Sequence, residues 1–120
     1  MLRKLLRAKI HRATVTKVDL EYEGSIAIDE CLLKAAGLLP YEAVHIWNLN
    51  NGERLETYVI TAPEGSGEIC LNGAAARLAH SGDMVIIAAF SWMTSEEIAA
   101  HKANIVVVDG KNRITSQYQG

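Results

Sequence analysis

Apolar residues along the chain fall in short runs that are rich in Val, Ile, Thr and Tyr and are bounded by Gly, Asn, Asp or Pro. Runs of this length and composition are typical of β-strands. The seven runs are AKIHRATVT, SIAI, AVHIWNL, LETYVITA, EICL, DMVIIAAF and NIVVV. Six or seven strands in 120 residues indicate a small closed barrel, because closure removes the exposed edges of an open sheet.

Three segments depart from this pattern and predict short helices. The first has Asp29 as the expected N-cap and Gly37 as the expected end. In the third, Thr94 and Glu97 are three residues apart, which is the spacing of a capping box. Between them, NGAAARLA predicts a short helix led by Asn72.

The remaining segments predict one hairpin turn and the behaviour of the first and last residues. Asn51-Gly52 indicates a hairpin connection. The polar last residues, DGKNRITSQYQG, are expected to fray. The first residues, MLRKLLRAKIHR, are basic and apolar but lack an unbroken apolar core and a small-residue cleavage site, so we expect them to belong to the fold. No stretch approaches the roughly 20 apolar residues of a membrane span.

Composition predicts one soluble globular domain over residues 1–120, with 49% hydrophobic and 22% charged residues. A net charge of -2 provides no field that would attract nucleic acid. Cys31 and Cys70 lack the C-x-x-C spacing of a zinc site, and the four histidines lack an H-x-x-x-H pattern, so we expect no metal. The two cysteines suit buried free thiols in a reducing cytoplasm.

Polar residues with catalytic potential lie on or beside the predicted strands, at Lys9, His11, Arg54, Thr57, Tyr58 and Asn72. Taken singly, each also suits an ordinary structural role, such as a solvated charge, a core ring or a helix cap. Lys9 and His11 are two residues apart and therefore share one face of a strand. A cation and an imidazole that face the same way suit an anionic ligand.

The stretch EYEGSIAID places Gly24 directly before Ser25. Most Gly-Ser pairs form turns, because Gly accepts a positive φ and Ser hydrogen-bonds its own backbone. Taken alone, these nine residues therefore predict a turn.

The sequence resembles the aspartate 1-decarboxylases, which are pyruvoyl-dependent enzymes. The motifs KIHRATVT, YEGSIAID, IWNLNNGERLETYVI and NGAAA, the last leading into GDMVIIAAF, follow the order of that family and cover all but the C-terminal tail. The resemblance implies a mainly β fold, a double-psi beta barrel with short peripheral helices. It also implies a cytoplasmic homotetramer with active sites at subunit boundaries, a carboxy-lyase that converts L-aspartate to β-alanine and carbon dioxide for pantothenate biosynthesis.

The resemblance further implies that the chain cuts itself between Gly24 and Ser25 into a short N-terminal and a long C-terminal chain. The Ser25 hydroxyl would attack the Gly24 carbonyl, which Thr57 helps to hold, and residue 25 would become a pyruvoyl group that forms a Schiff base with the substrate. This maturation is either spontaneous or assisted by an accessory protein. Tyr58 would return a proton to the substrate. The implied substrate-binding residues are Lys9, His11, Arg54, Thr57, Asn72, Gly73, Ala74 and Ala75.

Two alternatives remain open at this point. The first is the same chemistry on another acidic amino acid. The second is a barrel that binds a ligand without catalysis and keeps Gly24-Ser25 as a plain turn. Neither a metal nor a nucleic acid nor a membrane is expected as a partner.

Overall fold

The computed structural model describes residues 1–120 as a mainly β protein, which confirms the predicted fold class with its short helices. The strands are β1 (Arg3–Thr14), β2 (Lys17–Asp19), β3 (Ser25–Asp29), β4 (Ala43–Asn48), β5 (Arg54–Ala62), β6 (Ile69–Asn72), β7 (Met84–Met93), β8 (Asn104–Val108) and β9 (Ile114–Gln119). The helices are α1 (Glu30–Ala36), α2 (Ser95–Ala100) and a 3₁₀-helix, Gly73–Leu78. None of them has the length and apolar character needed to cross a membrane.

The nine strands form one sheet in the order β2-β6-β3-β5-β4-β7-β1-β8-β9. Three neighbouring pairs are parallel, namely β1 with β8, β2 with β6 and β3 with β5, and the others are antiparallel. Parallel neighbours need crossover connections. The three parallel pairs are therefore joined by crossover connections, which are compatible with the expected double-psi topology.

The sheet encloses a single main core of 22 buried residues. One row across four strands illustrates how it forms. Ile10 of β1 is opposite Ile87 of β7, which is opposite Ile46 of β4, which is opposite Leu55 of β5. The three isoleucines are fully buried and Leu55 packs against them. Alternate residues of these strands consequently point to the outer face of the sheet.

The predicted helix ends and the hairpin are present. Gly37 ends α1 in the left-handed conformation, with φ of 75°. Thr94 and Glu97 form the capping box that begins α2. β4 and β5 pair antiparallel on either side of the turn that contains Gly52, whose φ is 77°.

Asp29 joins the end of β3 to α1 and to a distant loop. Its buried carboxylate accepts hydrogen bonds from the backbone N–H groups of Cys31 at 2.8 Å, Gly65 at 3.0 Å and Gly67 at 2.8 Å. Burial raises the pKa of Asp29, but these hydrogen bonds lower it by more, so the pKa lies below the usual 3.8. The charged form of Asp29 therefore stabilises the fold.

The C-terminal tail is where the sequence-based prediction was wrong. Residues Ile114–Gln119 do not fray but form β9, which pairs antiparallel with β8. The preceding turn is fixed by Asn112, whose buried side chain bonds the backbone of Thr14 and the carbonyl of Gly67. The six residues of β9 are all exposed, so their polarity reflects an outer strand rather than a loose end. The strand β2, only three residues long, was not predicted.

Candidate active site

Ser25 is the first residue of β3 and is only 1% exposed. Its hydroxyl donates to the backbone carbonyl of Glu23 at 3.2 Å. Its Oγ in turn accepts a hydrogen bond from Asn72 Nδ2 at 3.0 Å. Both bonds fix the hydroxyl beside the Gly24-Ser25 peptide bond, whereas the serine of an open turn would be free in solvent.

Asn72 is the last residue of β6 and lies opposite Ser25 in the antiparallel pairing of β6 with β3. It directly precedes the 3₁₀-helix, yet its side chain makes no capping hydrogen bond. The amide is instead used inside the sheet, where Nδ2 bonds Ser25 and Oδ1 accepts from the Cys70 thiol at 3.2 Å. The helix-cap interpretation of Asn72 is therefore replaced by a contact with the candidate nucleophile.

Gly73 allows the backbone to approach Gly24 closely. A Cβ atom at position 73 would be 2.7 Å from both the Cα and the N of Gly24, and the φ of Gly73 is 63°. Gly24 itself has no positive φ, and a Cβ there would have no neighbour within 4 Å. The structure therefore requires glycine at position 73, where a side chain would collide with the Gly24 backbone.

A cavity of about 290 Å³ lies next to Gly24. Its lining consists of Gly24, Leu55, Glu56, Thr57, Ala74, Ala75 and Leu78. Thr57 thus shares the cavity with the expected cleavage position, and the small side chains of the NGAAA motif leave the space open. The Thr57 hydroxyl makes no hydrogen bond to the Gly24 carbonyl in this structure.

Tyr58 lies on the other face of β5 from Thr57, because the pairing of β4 with β5 is regular over residues 54–58. In the parallel pairing of β3 with β5, the fully buried Ile26 is opposite the fully buried Val59. One residue earlier on each strand, Ser25 and Tyr58 hold neighbouring positions on the opposite face. The phenol is thus carried by the strand next to the candidate nucleophile.

Arg54 shares the face of β5 that carries Tyr58, four residues earlier in the strand. Its side chain is exposed, and its guanidinium carbon is 4.5 Å from the ring centroid of Trp47, on the adjacent strand β4. The aromatic contact orients the guanidinium while its N–H groups remain available to an anion.

Lys9 and His11 share one face of β1, as predicted, with the buried Ile10 pointing to the other. The Nδ1 atom of His11 is buried and has no hydrogen-bond partner. Burial lowers the pKa of His11, and the charges of Lys9 and Arg12 lower it further, so the environment favours the neutral ring. An unpaired buried nitrogen is costly, which fits a ring that meets a further molecule.

Within one chain, however, the structure does not bring Lys9 and His11 to Ser25. β1 is four strand positions away from β3 in the sheet. Neither residue lines the cavity beside Gly24 or the cavity beside Asn72. The site residues predicted from the sequence therefore divide into a group around Ser25 and a pair on β1.

Two residues near Ser25 were not singled out from the sequence. Cys70 and Tyr22 line a second cavity of about 210 Å³ together with Asn72. For Cys70 a signal was available, because it is two residues before Asn72 and must share its face of β6. For Tyr22, in an irregular segment, no periodicity gave its position. The chain contains no group of three or more His, Cys, Asp or Glu side chains that could hold a metal ion.

The chain is similar to several known proteins. The aspartate decarboxylase family model matches residues 1–115. An aspartate 1-decarboxylase of Dehalococcoides mccartyi (strain ATCC BAA-2266 / KCTC 15142 / 195) is 58% identical, with 97% of this chain and 94% of that protein covered. Aspartate 1-decarboxylase 2 of Gloeobacter violaceus is 57% identical, with 99% and 95% covered. Among solved structures, the computationally designed msDPBB_sym2 protein is 20% identical, with 71% of this chain and 96% of that chain covered and a TM-score of 0.43.

Proposed function

The chain belongs to the aspartate decarboxylase family, and from that premise we propose that it removes the α-carboxylate of L-aspartate to give β-alanine and carbon dioxide. The β-alanine would supply pantothenate biosynthesis. We further propose that the reaction uses a pyruvoyl group made from Ser25. One observation carries the second proposal, which is that Ser25 is buried at the start of a strand with Asn72 donating to its Oγ.

The surroundings of Ser25 suit a self-cleaving bond. The Gly24-Ser25 bond lies between an exposed glycine and a fixed, buried serine, so one side can move after cleavage while the other stays in β3. The close contact with Gly73 holds Gly24 against the 3₁₀-helix beforehand. Thr57, in the same cavity, would hold the Gly24 carbonyl as the hydroxyl adds to it.

A pyruvoyl group supplies a carbonyl that binds the substrate amine and withdraws electrons as carbon dioxide leaves. Tyr58 would return a proton to the α-carbon, since it is carried by the strand adjacent to residue 25. Arg54, on the same face, would hold a substrate carboxylate with its planar fork. Asn72 and the backbone of Gly73, Ala74 and Ala75 would line the pocket around residue 25.

Lys9 and His11 would complete the carboxylate site from a second copy of the chain. Their absence from both cavities near Ser25, and the unpaired Nδ1 of His11, support active sites at the boundaries of a homotetramer. We place this assembly in the cytoplasm, with or without an accessory protein for maturation.

Two measurements test the function. Denaturing mass spectrometry of the purified protein should show two fragments, residues 1–24 and a modified 25–120, whereas a non-catalytic barrel would give one intact mass. Product analysis with aspartate and glutamate supplied in parallel should show β-alanine alone. Equal or faster release of carbon dioxide from glutamate would assign the chemistry to another acidic amino acid.

A mixing experiment tests the shared site. Ser25→Ala and Lys9→Ala chains are each expected to be inactive alone. Assembled together from co-expressed chains, they should regain activity, because some boundaries would combine an intact residue 25 with an intact Lys9. No regained activity in mixed assemblies would mean that one chain supplies both groups.

A further inference from the structure

Three hydrogen bonds, all donated in the same direction, join Cys70 to Asn72, Asn72 to Ser25 and Ser25 to Glu23. The proposed function assigns no role to the Cys70 thiol, from which this series begins. The Cys70 thiol donates to Asn72 Oδ1 at 3.2 Å, Asn72 Nδ2 donates to Ser25 Oγ at 3.0 Å, and the Ser25 hydroxyl donates to the Glu23 carbonyl at 3.2 Å. The first three residues are all less than 5% exposed. Water therefore does not readily replace the contacts among Cys70, Asn72 and Ser25.

The orientation of the Asn72 amide is decided at Cys70. A carboxamide has an oxygen and a nitrogen of similar size, and its neighbours determine which way it faces. Ser25 can act as donor or acceptor, so it accepts either orientation. The Cys70 thiol favours only one orientation of the amide, because a protonated sulfur donates to Asn72 Oδ1 and the Nδ2 group then faces Ser25.

The thiol remains protonated in this environment. Burial raises the pKa of Cys70, and the negative charge of Glu68 raises it further. A thiolate would instead repel Oδ1 and favour the reversed amide. The burial of Cys70 and its place two residues before Asn72 on the same face of β6 thus make it a stable donor.

The orientation matters because charge develops on Ser25 Oγ when the chain separates. The ester forms as Oγ adds to the Gly24 carbonyl carbon and the C–N bond breaks, with the hydroxyl proton ending on the freed amine. Elimination then transfers the Ser25 α-proton to solvent and breaks the Cβ–Oγ bond, and the electron pair stays on Oγ as part of the Gly24 carboxylate. Water finally hydrolyses the dehydroalanine with release of ammonia. An N–H donor at Oγ stabilises the departing carboxylate, whereas a carbonyl oxygen there would repel it.

We propose that Cys70 is a positioning residue for chain cleavage, whose thiol turns the Asn72 amide so that its NH₂ group faces Ser25 Oγ. This inference rests on the proposed function, since it concerns the same bond. It adds a requirement for a hydrogen-bond donor at position 70.

The test compares two matched pairs at position 70, Cys70→Ser with Cys70→Ala and Cys70→Thr with Cys70→Val. Within each pair the shapes are similar and only one member has a donor hydroxyl. Cleavage is followed by denaturing mass spectrometry from the moment of cell-free synthesis, and thermal unfolding of each variant is measured alongside. The second pair provides the comparison if a smaller side chain prevents folding.

We expect the Ala and Val variants to cleave about tenfold more slowly than their hydroxyl partners, which is the effect of one hydrogen bond to a developing charge. The Ser variant should cleave within about twofold of the unchanged chain, while Ser and Ala should have similar melting temperatures. Equal cleavage rates within both pairs would overturn the positioning role while leaving self-cleavage established. An unchanged chain that never cleaves would overturn the proposed function together with this inference.

Discussion

Gly24-Ser25 and Gly65-Ser66 are the same dipeptide in two environments. Ser66 is exposed, its Oγ accepts from the backbone N–H of Glu68 at 3.2 Å, and Gly65 has a φ of 80°. These are the features of an ordinary turn. Ser25 is buried, is bonded by a side chain from another strand, and follows a glycine without a positive φ.

The difference shows that the dipeptide does not determine its own role. Both serines carry the same hydroxyl and both glycines the same flexible backbone. Only the first pair has an amide donor, a neighbouring threonine in a shared cavity and a tyrosine on the next strand. All three groups come from segments distant in sequence, so the fold and not the dipeptide creates the difference between the two environments.

The largest effect should come from removing the two hydroxyls separately. Ser25→Ala should leave a folded, uncut and inactive chain, because alanine has no oxygen to add to the Gly24 carbonyl. Ser66→Ala is the matched control and should cleave and turn over normally. Fragment masses and β-alanine formation measure both outcomes. Cleavage of Ser25→Ala at the same bond would remove the distinction between the two pairs.

Tyr58→Phe should separate the making of the cofactor from its use. The variant should cleave normally, since Thr57 rather than Tyr58 shares the cavity with Gly24. Borohydride should still trap aspartate on the long chain. Turnover should fall by roughly 100- to 10,000-fold, which is the usual contribution of a positioned general acid. Turnover at the original rate would make Tyr58 a packing residue, and loss of cleavage would overturn the division of roles between Thr57 and Tyr58.

Arg54→Lys should weaken substrate binding at the site around Gly24-Ser25 without affecting cleavage of the chain. An ammonium offers a point charge in place of a planar fork, so KM for aspartate should rise by about tenfold with cleavage unchanged. Steady-state kinetics on the fully cut protein measure this. An unchanged KM would place Arg54 outside the substrate site.

Substitution of Asp29 should have the smallest effect on activity. This residue links the two Gly-Ser pairs, because it ends the strand that Ser25 begins and its carboxylate accepts a hydrogen bond from the backbone N–H of Gly65. Its pKa is lowered in the folded state, so its contribution to stability is present above about pH 3.8 and is lost as the pH falls through the folded value.

Urea unfolding at several pH values, in a Ser25→Ala background that keeps the chain intact, measures this contribution. Asp29→Asn should lower the free energy of unfolding at pH 7 by about 1–3 kcal/mol and remove part of its decline in acid. An unchanged acid slope in Asp29→Asn would assign the decline to other carboxylates.

Local signals in the sequence were sufficient for much of the fold. Seven apolar runs became strands, and the caps at Asp29 and Thr94 act within one turn of their own position. β9 was missed because an exposed outer strand has no apolar alternation, and its stability comes from pairing with the distant β8.

The candidate site was predicted less completely for the same physical reason. Thr57 and Tyr58 on opposite faces follow from strand alternation alone. The hydrogen bond between Asn72 and Ser25 joins residues 47 apart and depends on the register of two strands, which periodicity does not give. The role of Gly73 was likewise hidden, because its close contact exists only once Gly24 is packed against it.

The position of β1 between β7 and β8 would have a thermodynamic consequence for a protein cut as proposed. A cut after residue 24 leaves β1 and β2 in a separate peptide whose strands are paired with strands of the other piece. Unfolding then becomes a dissociation, so stability should depend on concentration and weaken by about 1.4 kcal/mol for each tenfold dilution. The precursor has no such dependence within a single chain. Residue 25 would then have no amine with which to reform the peptide bond, so the proposed cleavage would convert one folding unit into an assembly that is formed once.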